Sequence, residues 1–168
     1  VTLVSPDDNA VIGLSQEFSF FSADNLAKTI TCSIYIDGIE YRTDIEAPNM
    51  AIVTIPSADL EEGEHAWEVR CIDPAGWIGI SAARVYDLDK TPPAIVMKSP
   101  ENNSIIADST ELEFEVTDNY GLASILFVRD GNETEVEADF TVDVSDWPDG
   151  PSEFAVKAED PVGNQAEQ

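Results

Sequence analysis

Two cysteines offer the clearest chemistry in this chain. Cys32 and Cys71 are its only cysteines. Cys32 is in phase with Ile30 and Ile34 in an alternating apolar pattern. Cys71 is in phase with Val69 in a second such pattern. Because alternate residues of a strand point to the same side, we expect both thiols on the core side of neighbouring strands. A disulfide between them is the favoured interpretation, and it implies an oxidising compartment.

Other chemistry at these cysteines has less support from the sequence. Two buried, reduced thiols in a cytosolic protein are the alternative to a disulfide. A zinc site would need two further ligands, and His65 is the only histidine in the chain. No serine or cysteine nucleophile pattern surrounds His65, and a lone histidine is typical of a structural or surface residue. We therefore assign His65 no role, predict a non-enzymatic protein and expect no cofactor.

Acidic residues are so numerous that only recurring ones are informative. Asp73 and Asp160 each precede a Pro-x-Gly turn in matching segments of the two halves. An aspartate there can accept backbone N–H bonds from residues further along the turn, so we predict a turn-capping role. The alternative is a calcium site at the joint between the halves, with ligands from Asp87, Asp89 and Asp118-Asn119. No loop has EF-hand spacing, and we predict no metal site.

Two sequons suggest a secreted protein. Asn102-Asn103-Ser104 and Asn132-Glu133-Thr134 both fit the acceptor pattern for N-glycosylation. Both fall in predicted loops, and Asn132 follows the Asp130-Gly131 hairpin turn. We expect Asn132 to be modified more readily than Asn102 in a glycosylating host.

The charge balance excludes several classes of partner. The chain has 34 Asp and Glu against 8 Lys and Arg, for a net charge of −26. Such a surface repels nucleic acid and anionic lipid headgroups, and it keeps an exposed protein dispersed. Adaptation to high salt is a second explanation of the charge. No apolar run is long enough to cross a membrane, and Val1 begins an apolar alternation rather than a signal peptide.

The sequence repeats itself once. Three segments recur in the same order, and the pairs are 5–12 with 99–106, 35–38 with 128–131, and 67–76 with 154–163. In this alignment Cys32 and Cys71 correspond to Ile125 and Ala158, so both cysteines are replaced together. This joint replacement favours a bonded pair. We predict two domains, 1–89 and 90–168.

The hydrophobic period in each half is that of β-strands. Residues 111–117, for example, alternate glutamate or threonine with leucine, phenylalanine and valine. The predicted strands of the first half are 1–5, 17–22, 29–37, 39–43, 50–56, 64–73 and 78–87. Those of the second half are 94–98, 110–117, 123–130, 133–137, 139–144 and 152–159. Short strands with frequent turn signals indicate a two-sheet sandwich.

The order of motifs resembles a known group of proteins. These motifs are the Thr91-Pro92-Pro93 linker, the Ser-Pro start of each half, the Asp-Gly hairpins and the closing Trp/Phe-x-Val-x-Cys/Ala-x-Asp-x-x-Gly segment. Together they resemble the immunoglobulin-like or fibronectin type III-like repeats of bacterial and archaeal surface proteins. The resemblance implies an all-β fold of two tandem immunoglobulin-like β-sandwich domains at a cell surface. In this group an asparagine usually follows the last glycine. Asn164 fits that pattern in the second half, whereas Trp77 departs from it in the first.

The second half ends differently from the first. After Gly76 the first half continues with twelve residues, Trp77 to Leu88, whereas Asn164–Gln168 alone follow Gly163. This tail is short and polar, so we expect the second domain to lack its last strand and to leave residues 152–159 as an open edge. The missing strand then comes from continuation of the same polypeptide or, less simply, from another chain.

Three functions are consistent with these features. The leading hypothesis is a structural or adhesive module of an extracellular surface protein, such as a stalk, surface layer or filament component. Its partners would be neighbouring copies or further domains of the same assembly. The alternatives are a glycan- or protein-binding module that uses an exposed aromatic such as Trp77 or Trp147, and an accessory domain pair of a larger secreted hydrolase.

Overall fold

The chain divides into two units between Lys90 and Thr91. The structure, a computed structural model, describes residues 1–57, 60–107 and 110–168. Unit 1 is Val1–Lys90 and unit 2 is Thr91–Gln168, each with its own hydrophobic core. The architecture is all-β, as predicted, and each unit is an immunoglobulin-like β-sandwich. Within the described ranges, no helix is long and apolar enough to span a bilayer.

Unit 1 consists of two sheets that face each other. Its described strands are β1 (Thr2–Ser5), β2 (Ala10–Ile12), β3 (Glu17–Ser22), β4 (Thr29–Ile36), β5 (Ile39–Pro48), β6 (Ala51–Pro56), β7 (Gly63–Ile72), β8 (Ile78–Ile80) and β9 (Arg84–Leu88). One sheet has the order β1-β3-β6, and the other has the order β2-β9-β7-β4-β5. β8 pairs with the end of β7 that β9 does not cover. All pairs are antiparallel except β2 with β9.

Aromatic residues fill the core of unit 1. Phe18 on β3 is fully buried, and its ring centre lies 4.9 Å from that of Trp67 and 5.6 Å from that of Tyr86. Because strand residues alternate between the two faces, every second residue of β3, β4 and β7 contributes to this core. The strong period-two pattern of the sequence therefore corresponds directly to the packed layer.

Unit 2 repeats this arrangement with fewer strands. Its described strands are β10 (Ala94–Ser99), β11 (Glu111–Thr117), β12 (Ser124–Arg129), β13 (Asn132–Glu135), β14 (Asp139–Asp143), β15 (Phe154–Glu159) and β16 (Gln165–Glu167). The sheets have the orders β10-β11-β14 and β13-β12-β15-β16. Phe114 and Phe140 stack at 4.8 Å, and Phe127 and Phe154 complete the aromatic cluster.

The predicted strand 78–87 is in fact two strands. Ser81 interrupts it, because its hydroxyl accepts the Val69 N–H at 3.0 Å while its own N–H donates to the Val69 carbonyl at 2.9 Å. The chain then leaves the ladder and returns as β9, with Arg84 opposite Trp67. The short strand β2, which the sequence analysis did not predict, forms because β9 is available as its partner.

The prediction for the end of unit 2 was partly wrong. Residues 165–167 form β16, which pairs with β15, and Gln168 exchanges two backbone hydrogen bonds with Val156 at 2.8 and 3.0 Å. Polar side chains do not prevent this pairing, because the ladder is made by main-chain groups. The edge at 156–159 is therefore occupied by the chain itself, whereas the alternative of a donated strand needed that edge to be open. Unit 2 still lacks, among its described residues, a counterpart of β9.

Candidate functional site

The predicted disulfide lies at the centre of unit 1. Cys32 on β4 is directly opposite Cys71 on β7, and a disulfide joins them with their Cα atoms 4.0 Å apart. Both side chains are buried in the core. The bond therefore crosslinks two adjacent strands of one sheet, within the hydrophobic interior.

Unit 2 has an apolar contact at the equivalent place. Ile125 on β12 is directly opposite Ala158 on β15, in the same register as the two cysteines of unit 1. Both residues are buried. The four positions that the sequence alignment matched thus form one crosslinked pair in unit 1 and one packed pair in unit 2.

Asp73 organises the turn that follows β7. Its Oδ1 accepts the N–H groups of Ala75 at 2.9 Å and Trp77 at 2.8 Å. The main chain closes the same turn, since Asp73 N–H donates to the Trp77 carbonyl at 3.0 Å. Gly76 occupies this turn with φ of +90°, which glycine adopts without strain.

Asp160 has the same role in unit 2 with more bonds. Its Oδ1 accepts the N–H groups of Val162 and Asn164, both at 2.9 Å, and its Oδ2 accepts the Asn164 side-chain amide at 2.7 Å. Burial opposes ionisation, but these donors outweigh it and hold the pKa of Asp160 below its ordinary value. The carboxylate therefore stays ionised as a structural acceptor.

The two sequons lie at exposed positions. Asn132 is the first residue of β13, directly after the hairpin turn, and Asn102 lies in a turn after β10. Asn132 is thus in a strand rather than the predicted loop. Glycosylation of either residue stays a prediction.

The residues of the alternative calcium site belong to both units. Asp87 lies on β9, and the N–H of Asp89 donates to the Ile12 carbonyl at 2.9 Å. In unit 2, Asp118 Oδ1 accepts the Tyr120 N–H at 2.8 Å. Each contact supports the local turn or ladder of its own unit, and calcium binding stays a hypothesis.

His65 makes contacts that the sequence analysis missed. Its Nδ1 lies 2.6 Å from Asp37 Oδ2, and its Nε2 lies 2.9 Å from the Glu61 carbonyl oxygen. Asp37 Oδ1 also accepts the Ala66 N–H at 2.9 Å. Both ring nitrogens face acceptors, so the imidazolium, which carries two N–H groups, makes both bonds at once.

The electrostatics of this pair favour the charged forms of both groups. Burial alone would lower the pKa of His65, but Asp37 and the Glu61 carbonyl raise it above its ordinary value. Burial would likewise raise the pKa of Asp37, but the Ala66 N–H and His65 lower it. The pair connects the β4–β5 hairpin turn to β7, and the Glu61 carbonyl links the same ring to the segment before β7. His65 and Asp37 meet because Ile36 of β4 pairs with Trp67 of β7.

The two tryptophans proposed as binding residues differ in exposure. Trp147 is half-buried, packs on Phe154 at 5.9 Å and has the Arg129 guanidinium 3.8 Å above its ring. Trp77 is 78% exposed. Among the predicted aromatic contacts, Trp77 is therefore the residue available to a ligand or partner.

Comparison with known proteins shows similar folds at low sequence identity. No family model and no curated protein matches the chain. Fibronectin(III)-like modules of Clostridium thermocellum CbhA match at 14% identity and a TM-score of 0.48, over 99% of this chain and 89% of that chain. A bacterial ice-binding adhesin matches at 17% identity and a TM-score of 0.48, over 99% of this chain and 60% of that chain.

A third similar structure is that of Bacteroides ovatus SGBP-B, from a mixed-linkage glucan utilization locus, in complex with a mixed-linkage heptasaccharide. It matches at 15% identity and a TM-score of 0.36, over 98% of this chain and 42% of that chain. At such identities the likeness extends to the fold alone.

Proposed function

We propose that this chain is a non-enzymatic structural or adhesive module of an extracellular surface protein, as part of a stalk, surface layer or filament. The observation that carries this proposal is the buried Cys32–Cys71 disulfide of unit 1. Stable disulfides form in oxidising compartments, outside the cytosol. The bond also crosslinks β4 and β7 covalently, so the two strands stay joined at that point under load.

The arrangement of the remaining groups supports a structural role. The hydrogen-bonded carboxylates Asp73 and Asp160 hold turns, and the His65–Asp37 pair ties a hairpin to its neighbour. Aspartate and histidine catalyse reactions in many enzymes, but these residues form hydrogen bonds within the fold of this chain. The net charge of −26 keeps an exposed module dispersed, and the copies or domains beside it are its proposed partners.

Native material tests the proposal. Intact cells of the source organism are labelled with an antibody to the folded chain, without permeabilisation. The extracted protein is then alkylated before reduction and analysed by mass spectrometry. We expect surface labelling and a Cys32–Cys71 crosslinked peptide. Labelling that appears only after permeabilisation, together with alkylated cysteines, would contradict the proposal.

The exposed side chain of Trp77 favours a second candidate, a binding module of a larger secreted protein or hydrolase. An exposed aromatic ring can stack on a sugar or fill a pocket of a protein partner. Glycan-array binding that Trp77→Ala abolishes and Leu26→Ala leaves intact would support this candidate. Leu26 is a suitable control because it is also highly exposed, at 88%.

A further inference from the structure

We propose that the open edge of β8 and four apolar side chains around it form a surface through which a second copy of this chain associates. We call Ile72, Trp77, Ile78 and Ile80 the β8 surface. The inference deepens the proposed function, because it identifies one of the neighbouring copies as a direct partner of unit 1. It depends on contacts within unit 1 only.

The β8 surface is exposed, and its three isoleucines share one face of the sheet. Trp77 is 78% exposed, Ile78 66%, Ile80 58% and Ile72 44%. Strand pairing sets Ile72 directly opposite Ile78, and Ile80 lies opposite Arg70 on the same face. Together the four side chains expose on the order of 400 Å² of apolar area beside one strand edge.

Unit 2 shows that the fold does not require apolar residues at these places. The matching positions in the repeat are Glu159, Asn164, Gln165 and Glu167. They have the same geometry, with Glu159 opposite Gln165 and Lys157 opposite Glu167. The Gln165 side-chain amide donates to Glu159 at 2.7 Å, so the surface of unit 2 is polar and satisfied by its own contacts. The apolar set in unit 1 therefore has a reason other than folding.

The backbone of β8 is suited to accept another strand. Within the described residues, β8 pairs with β7 alone. The Trp77 carbonyl and the Ser81 N–H both bond toward β7. Because the bonding direction alternates along an antiparallel strand, the N–H and C=O groups of Ile78 and Ile80 point to the open edge.

Two-fold symmetry makes this edge complementary to itself. An antiparallel pair centred on Gly79 sets Ile78 of one copy opposite Ile80 of the other. Glycine at the centre removes two side chains from the closest approach of the strands. The isoleucines of the two copies then lie on one face of the joined sheet, and each copy contributes the same patch, as an isologous interface requires.

The geometry of the edge fits a second copy, and charge and area predict that this copy binds weakly. Each copy carries a net charge of −26, so most of its surface repels another copy. None of the four residues of the β8 surface is charged, and two such surfaces meet without burying a carboxylate. The joint apolar area, about 800 Å², is below the ~1,200 Å² of stable interfaces. The contact thus suits an array, where many weak contacts act together.

Sedimentation equilibrium of the full chain tests the proposal. We expect the average mass to rise above the monomer value of 18.3 kDa as concentration increases from about 10 µM to about 1 mM. Raising salt from ~0.1 M to ~1 M should strengthen association, because it screens the repulsion between acidic copies. Association that weakens with salt, or a monomer under all conditions, overturns the proposal.

A matched pair of variants locates the contact. Ile78→Glu should weaken association at least tenfold. Ile39→Glu adds the same charge at an equally exposed isoleucine on β5, the opposite edge of the sheet, and should change association less than twofold. Equal effects of the two variants would refute the assignment to β8.

Hydrogen exchange provides a local reading. The amides of Ile78 and Ile80 should exchange more slowly as the wild-type chain associates, and unchanged exchange in the associated state overturns edge pairing. Both experiments use purified protein. Their failure would therefore leave the surface labelling of native cells as a separate test of the proposed function.

Discussion

The two units use the same pair of central strands and stabilise it differently. In unit 1, β4 and β7 are crosslinked by Cys32–Cys71. In unit 2, β12 and β15 are joined at that place only by packing of Ile125 on Ala158 and by the ladder. The identical register shows that the disulfide is not needed to define the fold. It adds stability to a sandwich that the alternating sequence already specifies.

The units also differ on the outside of the same strands. Unit 1 has the apolar β8 surface and the His65–Asp37 pair, whereas the corresponding edge of unit 2 is polar. Unit 1 therefore combines a reinforced interior with the edge through which we propose that copies associate. Substitutions that give one unit the residues of the other test each of these differences.

The largest effect is expected from removing the crosslink. The double variant Cys32→Ile and Cys71→Ala gives unit 1 the pair found in unit 2. Loss of a closed loop spanning 39 residues should reduce the free energy of unfolding of unit 1 by about 4 kcal/mol. Denaturant unfolding followed by residue-resolved NMR measures this, with unit 2 as the internal control. A change below ~1 kcal/mol would show that the crosslink adds little.

The turn aspartates should differ in importance. Asp160→Ala removes the acceptor of three hydrogen bonds and should destabilise unit 2 by about 2 kcal/mol. Asp73→Ala removes two bonds in a less buried turn and should cost unit 1 about 1 kcal/mol. Asparagine at either position retains Oδ1 as an acceptor and should recover part of the loss. The opposite order of effects would contradict the assigned roles.

A smaller effect concerns pH and unit 1 alone. The pKa of His65 is raised on folding, so its contribution is fully present below its unfolded pKa and is lost as pH rises through the folded value. The pKa of Asp37 is lowered, so its contribution is lost as pH falls through that lowered value. Unit 1 should lose up to about 1 kcal/mol between neutral and alkaline pH.

His65→Gln provides the control for this pH effect. The chain has no other histidine, so the variant should abolish the change in the stability of unit 1 through neutral pH. The stability of unit 2 should stay constant over the same range. Equal pH dependence in both units would mean that the pair is not its origin.

The smallest effect on stability is expected at the β8 surface. Exchanging its four residues for those of unit 2, as Ile72→Glu, Trp77→Asn, Ile78→Gln and Ile80→Glu, should change the stability of unit 1 by about 0.5 kcal/mol or less. The same variant should lose self-association in sedimentation. A large loss of stability would show that these residues belong to the fold rather than to an interface.

The sequence was sufficient to predict the features that depend on alternation and repetition. The sandwich and the Cys32–Cys71 bond follow from apolar phase and from comparison of the two halves. Both depend on pairing between residues far apart in the sequence, and comparison of the two halves makes that pairing visible. The repeat has Asn164 at the position of Trp77, so comparison of the two halves did not predict the exposure of this tryptophan.

Other features depend on backbone bonds or on contacts between distant residues. β16 forms from polar residues because main-chain groups supply its ladder, and no apolar pattern announces it. Ser81 divides one predicted strand through a side-chain bond to Val69. His65 meets Asp37 only through the register of β4 and β7, which composition and motif spacing do not encode.

Single-molecule stretching of the full chain by its two ends tests the central claim most directly, namely that the Cys32–Cys71 crosslink reinforces the sandwich of unit 1. The account predicts one unfolding event for each unit. After reduction, the length gained by unit 1 should increase by about 130 Å, the extended length of the 39 residues spanned by the crosslink, while that of unit 2 stays the same. Equal gains before and after reduction would contradict it.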